Sequence, residues 1–181
     1  RRPVRLMQTW KDMNPSCEYH LWLDDELATF GFINQNKIDD MKELNGKCDI
    51  MRHEILYRHG GIFMDADTES CFENEENGKD IETGIVLISE GHMAFKAGDG
   101  LCRECILELS RTDMLGRHGW EVTGNRFLAN VIEKFKDQYP MKIYPSWYFI
   151  PRHGTGLEYK GNDKIYSKHY WGSTFGLYGK L

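Results

Sequence analysis

Residues 48–67 read CDIMRHEILYRHGGIFMDAD and carry the clearest structural signal in the chain. From Cys48 to Ile55, apolar residues recur at three- and four-residue spacing, which predicts a helix that the following glycine pair ends. A short apolar run, IFM, comes next and leads directly into acidic residues. The stretch therefore predicts a helix, a tight turn and a short buried strand, with Asp65 and Asp67 at the carboxyl end of the strand.

The two acids are one residue apart, so on an extended strand Asp65 and Asp67 point to the same side and their carboxylates repel each other. A divalent cation between them would relieve this repulsion. Mg²⁺ and Mn²⁺ bind carboxylates and keep positions open for the phosphate oxygens of a substrate. Ligands of open α/β sheets also collect beyond the carboxyl ends of the strands. The pattern thus favours a cation site, and the alternative is an acidic surface turn that one of the two side chains caps.

Composition and charge narrow the class of protein. The chain has 181 residues, a mass of 21.2 kDa and a net charge of −5, which predicts a single domain over residues 1–181. It has no basic run that could follow a nucleic-acid backbone, no apolar run of the ~18 residues that span a bilayer, and no visible signal peptide. The chain does not begin with Met, so we expect a processed, excised or incomplete piece of a protein. Its five irregularly spaced cysteines argue against a disulfide framework and predict a reducing, cytoplasmic or host-cytoplasmic location.

Helix and strand patterns alternate along the rest of the chain. Helical spacing is found at 4–11, 101–111 and 125–139. Strand patterns are found at 19–25 (YHLWLDD) and 84–89 (GIVLIS), with further short ones in the aromatic C-terminal third. Thr123 is a candidate N-cap for the last helix. The predicted fold class is α/β, with a mixed central sheet flanked by helices.

The stretch 48–67 also resembles the signature of glycosyltransferase family 32, whose sugar-binding region contains a DXD motif. The matching positions are Cys48, Asp49, Arg52, Leu56, Tyr57, Gly60, Gly61, Ile62, Phe63, Asp65 and Asp67. Four further segments also resemble the family, so that the likeness extends to nearly the whole chain. They are the segment with Trp10 and the Asn-Pro pair, WEVTGNRFLANVI from residue 120, YPSWYFIP from residue 144 and KHYWGSTFG from residue 168. The chain departs from the pattern in two ways. The family's first apolar strand is missing before Trp10, and Phe63 stands where Tyr is common.

This resemblance implies a GT-A-like fold and a metal-dependent enzyme. The implied reaction moves a hexose or deoxyhexose, with retention of configuration, from a nucleotide-diphosphate sugar to a glycan or another hydroxyl acceptor. A UDP-sugar is the expected donor and a GDP-sugar the alternative. The expected cation is Mn²⁺ or Mg²⁺.

The resemblance also implies roles for individual side chains. Asp65 and Asp67 would hold the cation together with His169, and Asp49 and Arg52 would hold the donor sugar as further catalytic residues. Other donor contacts are expected from Trp10 on the base, from Trp171 over the diphosphate, and from Tyr57, Gly61, Phe63 and Ser173. Contacts with the acceptor or the sugar are expected from Thr123, Gly124 and Asn125.

Each assignment has a structural alternative. Asp49 and Arg52 are three residues apart on a helix, where an ordinary ion pair is worth ~0.2 to 0.5 kcal/mol. Trp10 and Trp171 are also suited to core packing, and His169 is equally consistent with a packed or solvent-facing histidine.

Two other classes of protein compete with the transferase. FMDADT fits the opening motif of haloacid-dehalogenase-like phosphatases, with Asp65 as nucleophile and Asp67 as acid, IVLIS as a second motif and AGDG (97–100) as the acidic one. The short spacing between those later motifs leaves no room for the crossover that a parallel sheet needs. A carbohydrate-binding module without turnover would use the aromatic residues but leaves the acid pair without a role.

Overall fold

The computed structural model describes residues 2–71 and 91–181. Its helices are α1 Val4–Met13, α2 Asp24–Thr29, α3 Gln35–Asp40, α4 Leu44–His59, α5 Gly100–Arg111, α6 Gly119–Val122 and α7 Asn125–Phe135, with a 3-10 helix at Ser146–Tyr148. Its strands are β1 Gly61–Met64, β2 Thr68–Ser70, β3 His92–Phe95 and β4 Ser167–His169. Across these residues, none of the helices combines the length and the apolarity that crossing a bilayer requires.

The strands form two small antiparallel sheets. Strand β1 pairs with β3, with Phe63 opposite Met93, and β2 pairs with β4, with Thr68 opposite His169. The described residues therefore combine helices with small sheets, which is compatible with an α/β domain. The predicted mixed central sheet is not found among the described residues, where both strand pairs are antiparallel. The strand predicted at 84–89 lies outside those residues.

The helix predictions for α1, α4, α5 and α7 are confirmed, whereas the strand predicted at 19–25 is wrong. Residues 19–23 have no regular structure and α2 begins at Asp24. Three acids, Asp24, Asp25 and Glu26, occupy the first turn of α2, where the positive end of the helix dipole favours negative charge. Glu26 Oε2 also accepts a hydrogen bond from Leu23 N at 3.0 Å. These local interactions outweigh a short alternating pattern.

Helix α4 lies against the main hydrophobic core. Its Ile50 and Leu56 are buried in one cluster with apolar residues of α5, α7 and β3, including Leu101, Leu128 and Phe95. The five cysteines are free, as predicted, and the pair in α5 is buried in this cluster as small apolar residues.

Helix α4 also buries four polar or charged side chains, Asp49, Arg52, His53 and Glu54. Burying a charge is costly unless the group is paired or hydrogen-bonded. Glu54 meets this condition because its two carboxylate oxygens accept hydrogen bonds from the backbone amides of Ile33 and Asn34, at 2.6 and 2.8 Å. The buried charges of α4 are thus held in place by specific partners.

The turn from α4 to β1 depends on Gly60, which has a φ of +69°. Its N–H donates to Leu56 O at 2.7 Å and ends the helix. A Cβ at this position would lie 2.7 Å from Ala97 N, so only glycine allows so close an approach of the two backbones. Strand β1 therefore starts immediately behind the helix, and the residues that follow it are brought beside α4.

His53 is fully enclosed in α4, and burial lowers its pKa from 6.5 to about 4. The unfolded chain takes up this proton below pH 6.5 and the folded chain does not, so the free energy of unfolding should fall as the pH drops from about 6.5 to about 4. We expect His53→Leu to make this fall shallower, by up to about 1.4 kcal/mol per pH unit. Urea unfolding at several pH values measures the slope. His20→Gln alters an exposed histidine and should keep the wild-type slope, and an unchanged slope in His53→Leu would contradict the prediction.

Candidate active site

Asp65 and Asp67 lie in the turn between β1 and β2 rather than on the strand itself. The turn is closed by Thr68, whose backbone N–H and hydroxyl both donate to Asp65 O, at 3.1 and 2.7 Å. The Asp67 residue is only 2% exposed, while the Asp65 side chain keeps 29% of its surface accessible. The pair is therefore not an acidic surface turn, since one of its carboxylates is almost completely enclosed.

His169, at the end of β4, completes a three-residue group with the acid pair. Pairing of β4 with β2 places His169 opposite Thr68, and its Nε2 atom lies 3.3 Å from Asp65 Oδ2 and 3.6 Å from Asp67 Oδ1. One ligand atom from each of the three residues lies within 4.8 Å of the others. The structure thus brings together, from positions 104 residues apart, the three side chains predicted to hold a cation.

The donor set fits a divalent cation. Two carboxylates are the usual ligands of Mg²⁺ and Mn²⁺, and an added imidazole is better suited to a transition metal such as Mn²⁺. His169 Nδ1 accepts a hydrogen bond from Trp171 N at 3.0 Å, so the neutral ring carries its proton on Nε2, facing the acids. Nε2 would coordinate a cation in the other neutral tautomer, which carries the proton on Nδ1 and gives up the hydrogen bond from Trp171 N. The two carboxylates are therefore the better-placed ligands.

The C-terminal segment holds Asp67 through its backbone. Gly172 N donates to Asp67 Oδ2 at 2.6 Å, and Tyr170 N donates to Asp67 O at 3.0 Å. Between them, Trp171 has a φ of +55°, a left-handed conformation that is uncommon outside glycine and often marks functional sites. A Cβ at position 172 would lie 3.2 Å from Asp67 Oδ2, a tight contact that any larger residue could make only if the carboxylate shifted slightly.

Arg52 joins the acid pair to helix α4. Its Nη2 atom lies 2.7 Å from Asp49 Oδ1 and 3.5 Å from Asp65 Oδ1, and its guanidinium stands over the Phe63 ring at 4.3 Å. The Asp49 and Arg52 side chains are 6% and 5% exposed. This pair is therefore a buried charge network, in contrast to the surface ion pair that the spacing alone allows.

In the same network, the pKa values of Asp65 and Asp49 shift in opposite directions. Burial opposes ionisation of Asp65, but Arg52 and the contact with His169 outweigh it and lower the pKa of Asp65. Burial raises the pKa of Asp49, although Arg52 and a hydrogen bond from Thr123 oppose the change. Asp65 is thus the carboxylate that this environment keeps ionised, as a cation ligand requires.

Thr123 does not cap α7, which corrects the prediction for that residue. The N-cap of α7 is Gly124, and no side chain caps it. Thr123 is fully buried, and its hydroxyl lies 2.8 Å from Gly119 O and 3.1 Å from Asp49 Oδ2. Thr123 therefore contacts the buried network, and Asn125 is the exposed member of the predicted acceptor group.

The other predicted donor-binding residues are in different environments. Trp10 is 5% exposed, its Nε1 lies 3.1 Å from both Thr68 O and Thr68 Oγ1, and its ring contacts His92, so its surroundings correspond to the core-packing alternative. Tyr57 packs against the main core and lines a separate surface depression with Ile33 and Arg58. Gly61 opens β1 opposite Phe95.

Trp171 and Ser173 lie in the C-terminal segment that contacts Asp65, Asp67 and His169, three residues called the acid group below. The Trp171 ring is half-buried and contacts the His169 ring at a centroid distance of 4.5 Å, and its Nε1 donates to Arg152 O at 3.0 Å. Ser173 is exposed and directly follows Gly172. Both therefore lie in the segment that holds Asp67.

Two residues of this region were not assigned a role from the sequence, His92 and Tyr178. His92 is fully buried, its ring stacks on Phe149 at 4.7 Å, and burial lowers its pKa to about 3. Tyr178 lies beside Gly172 and Asp67. No spacing rule finds either residue, because strand pairing and the fold of the C-terminal segment bring them to the acids.

Comparison with known proteins agrees with this geometry. Residues 1–77 match the family model described as glycosyltransferase sugar-binding region containing DXD motif. The resemblance inferred from residues 48–67 is thereby confirmed, because residues 1–77 are similar to the DXD-containing sugar-binding region of glycosyltransferases.

Among curated proteins, the chain is similar to inositol phosphoceramide mannosyltransferase 3 of Schizosaccharomyces pombe. The two are 30% identical over an alignment that covers 36% of this chain and 24% of the relative. The chain thus matches about a quarter of that protein's length. No solved structure is significantly similar to the chain.

Replacing Arg52 tests the buried network. Arg52→Met keeps most of the packing of the side chain but leaves Asp49 as an uncompensated buried charge, so we expect a loss of about 3–5 kcal/mol in the free energy of unfolding. Arg126→Met removes an exposed ion pair with Glu121 and should cost at most about 1 kcal/mol. Denaturant unfolding of both variants measures the difference. A loss of less than about 1 kcal/mol for Arg52→Met would show that this network carries little stability.

Proposed function

We propose that this protein is a metal-dependent glycosyltransferase that moves a sugar from a nucleotide-diphosphate sugar to a hydroxyl group of a glycan or another acceptor. The observation that carries the proposal is the convergence of His169 with Asp65 and Asp67, the acid pair of the segment that matches a DXD-containing glycosyltransferase region. A UDP-sugar is the proposed donor and a GDP-sugar the alternative. The mannosyltransferase named above supports a hexosyl group, and retention of configuration and a GT-A-like fold over residues 1–181 follow from the resemblance in sequence.

In this proposal the acid group holds a cation, preferably Mn²⁺, against the diphosphate of the donor. A cation bound there would stabilise the negative charge that develops on the leaving diphosphate as the glycosidic bond breaks. The carboxylates of Asp65 and Asp67 supply the ligands, and the amide of Gly172 keeps Asp67 oriented. His169 Nε2 lies beside both acids, 3.3 Å from Asp65 Oδ2 and 3.6 Å from Asp67 Oδ1.

Asp49 and Arg52 have a positioning role in this proposal in addition to the expected contact with the sugar. Arg52 contacts Asp65 directly, and Asp49 of α4, held by Thr123 at the end of α6, anchors the guanidinium. The Asp65 carboxylate is thus held against helix α4 by Arg52 before the donor binds, which saves the entropy of ordering it later. Trp171 and Ser173 lie in the segment next to Asp67 and are the proposed diphosphate contacts.

Two features disfavour a phosphatase of the haloacid-dehalogenase type. Asp99, the acid of the AGDG sequence, caps α5 by accepting a hydrogen bond from Cys102 N at 3.0 Å. Strand β1, which precedes the acid pair, is paired antiparallel to β3 instead of within a parallel sheet. The second proposed motif, IVLIS, lies outside the described residues. A pure binding module is disfavoured because it gives the buried acid group no role.

Metal-dependent donor binding tests the proposal. UDP-sugars and GDP-sugars are screened by thermal shift with and without Mn²⁺, and a donor at 100 times its Kd should stabilise the protein by about 2.7 kcal/mol, which is roughly 5–10 °C. Asp67→Asn keeps an acceptor for Gly172 N but removes the charge, so it should abolish the Mn²⁺-dependent shift and the slow release of nucleotide from the donor. Asp39→Asn, on the exposed surface of α3, is the matched control.

Two other results would support one of the rival classes of protein, the phosphatase or the binding module. Hydrolysis of phosphate monoesters that is lost in Asp65→Asn would support the phosphatase. A Mn²⁺-independent shift with glycans and no response to any nucleotide sugar would support the binding module.

Cys48 offers a second measurement that does not depend on turnover. It is exposed and stands one helical turn before Arg52 on α4, whereas Cys17 is exposed in the loop after α1. Bound donor and Mn²⁺ should slow alkylation of Cys48 at least several-fold and leave the rate at Cys17 unchanged, because only Cys48 adjoins the site. Peptide mass spectrometry after timed alkylation measures both rates. Equal rates at Cys48 with and without a donor that binds would place the donor elsewhere.

A further inference from the structure

The ten residues after Trp171 reverse direction beside Asp67. Phe175 N donates to Trp171 O at 3.0 Å, and Leu177 N donates to Gly172 O at 2.8 Å. These hydrogen bonds reverse the chain within a few residues. Tyr178 consequently returns to the part of the segment that contacts Asp67.

Gly172 locates the Tyr178 ring relative to the carboxylate. A Cβ built on Gly172 would lie 3.2 Å from Asp67 Oδ2 and 3.3 Å from Tyr178 Cε1. The ring and the carboxylate oxygen therefore flank the same point. The pKa of Tyr178 is raised to about 12 by burial and then by the charges of Asp67, Asp65 and Cys48, which agrees with a position facing the site.

The Tyr178 hydroxyl is available to a ligand. Among residues 2–71 and 91–181, no group forms a hydrogen bond with it, in contrast to Tyr170, whose hydroxyl donates to Glu69 Oε2 at 2.5 Å. A phenol is protonated at neutral pH and donates readily to an anionic oxygen. Beside a pair of carboxylates, an anion can approach this hydroxyl only when a cation offsets their charge.

We propose that the Tyr178 hydroxyl donates a hydrogen bond to a phosphate oxygen of the donor's diphosphate, as a positioning residue that acts only when the acid group holds its cation. This inference rests on the proposed function and extends the diphosphate site to a residue outside the DXD region. The contact is to phosphate, so it is independent of the base and of the sugar. The ligand class that it recognises is a nucleoside diphosphate bound together with a divalent cation.

Calorimetric titration of the intact chain with UDP, GDP and inorganic pyrophosphate, each with Mn²⁺, tests the proposal. Tyr178→Phe removes only the hydroxyl, so we expect about tenfold weaker binding of the tightest nucleotide and a similar loss for pyrophosphate, because a hydrogen bond to a charged oxygen is lost. Binding of Mn²⁺ alone should not change. Tyr139→Phe removes a hydroxyl that contacts Glu104, and this control should bind like the wild type.

The possible results distinguish this inference from the function on which it rests. If wild type and Tyr178→Phe bind the nucleotide equally and Asp67→Asn does not bind it, the role of Tyr178 is wrong and the proposed function stands. If Tyr178→Phe loses affinity for Mn²⁺ itself, Tyr178 supports the acids and does not contact phosphate. If the wild type binds no nucleoside diphosphate in the presence of Mn²⁺, both proposals are wrong.

Discussion

Compensation of charge among neighbouring carboxylates is the constraint on which the site depends. Asp49, Asp65 and Asp67 are brought together with two of them almost completely buried, and uncompensated charges in such a position would cost several kcal/mol each. Arg52 contacts Asp49 and Asp65, His169 Nε2 lies beside Asp65 and Asp67, and the Gly172 amide donates to the Asp67 carboxylate. These partners offset part of the repulsion among the acids and hold Asp65 and Asp67 close together, the arrangement that a cation requires.

The partners come from separate parts of the chain, and this makes the site sensitive to the whole fold. Helix α4 supplies Arg52, the turn after β1 supplies the acids, and β4 with the residues after it supplies His169 and the Gly172 amide. The short pairing of β2 with β4 fixes the register between the last two parts. A change that slips this register by one residue would turn His169 to the other face of the sheet and separate it from the acids.

The patterns that predicted structure correctly were those with strong local causes. Helix α4 and strand β1 followed from apolar spacing and from the glycine pair, and Gly60 indeed has a backbone conformation and a contact that only glycine allows. The strand expected at 19–25 failed because three acids at the start of α2 favour a helix more strongly than a short alternation favours a strand. Thr123 has a residue type suited to capping, but Asp49 and Gly119 O, which are set by packing, are the partners of its hydroxyl.

The sequence by itself determined the helix, turn and acid pair of residues 48–67 and their resemblance to a glycosyltransferase signature, because spacing along one segment is a local property. It also contained the residue types of a cation site. Only the tertiary structure decided that His169 joins Asp65 and Asp67, that Asp49 and Arg52 are a buried network, that Trp10 is enclosed, and that Tyr178 returns to the acids. The contacts of His169 and Tyr178 depend on strand pairing and on the reversal of the C-terminal segment, which join residues about a hundred positions apart. The burial of Trp10, Asp49 and Arg52 depends on how the elements pack, and no local spacing records either kind of contact.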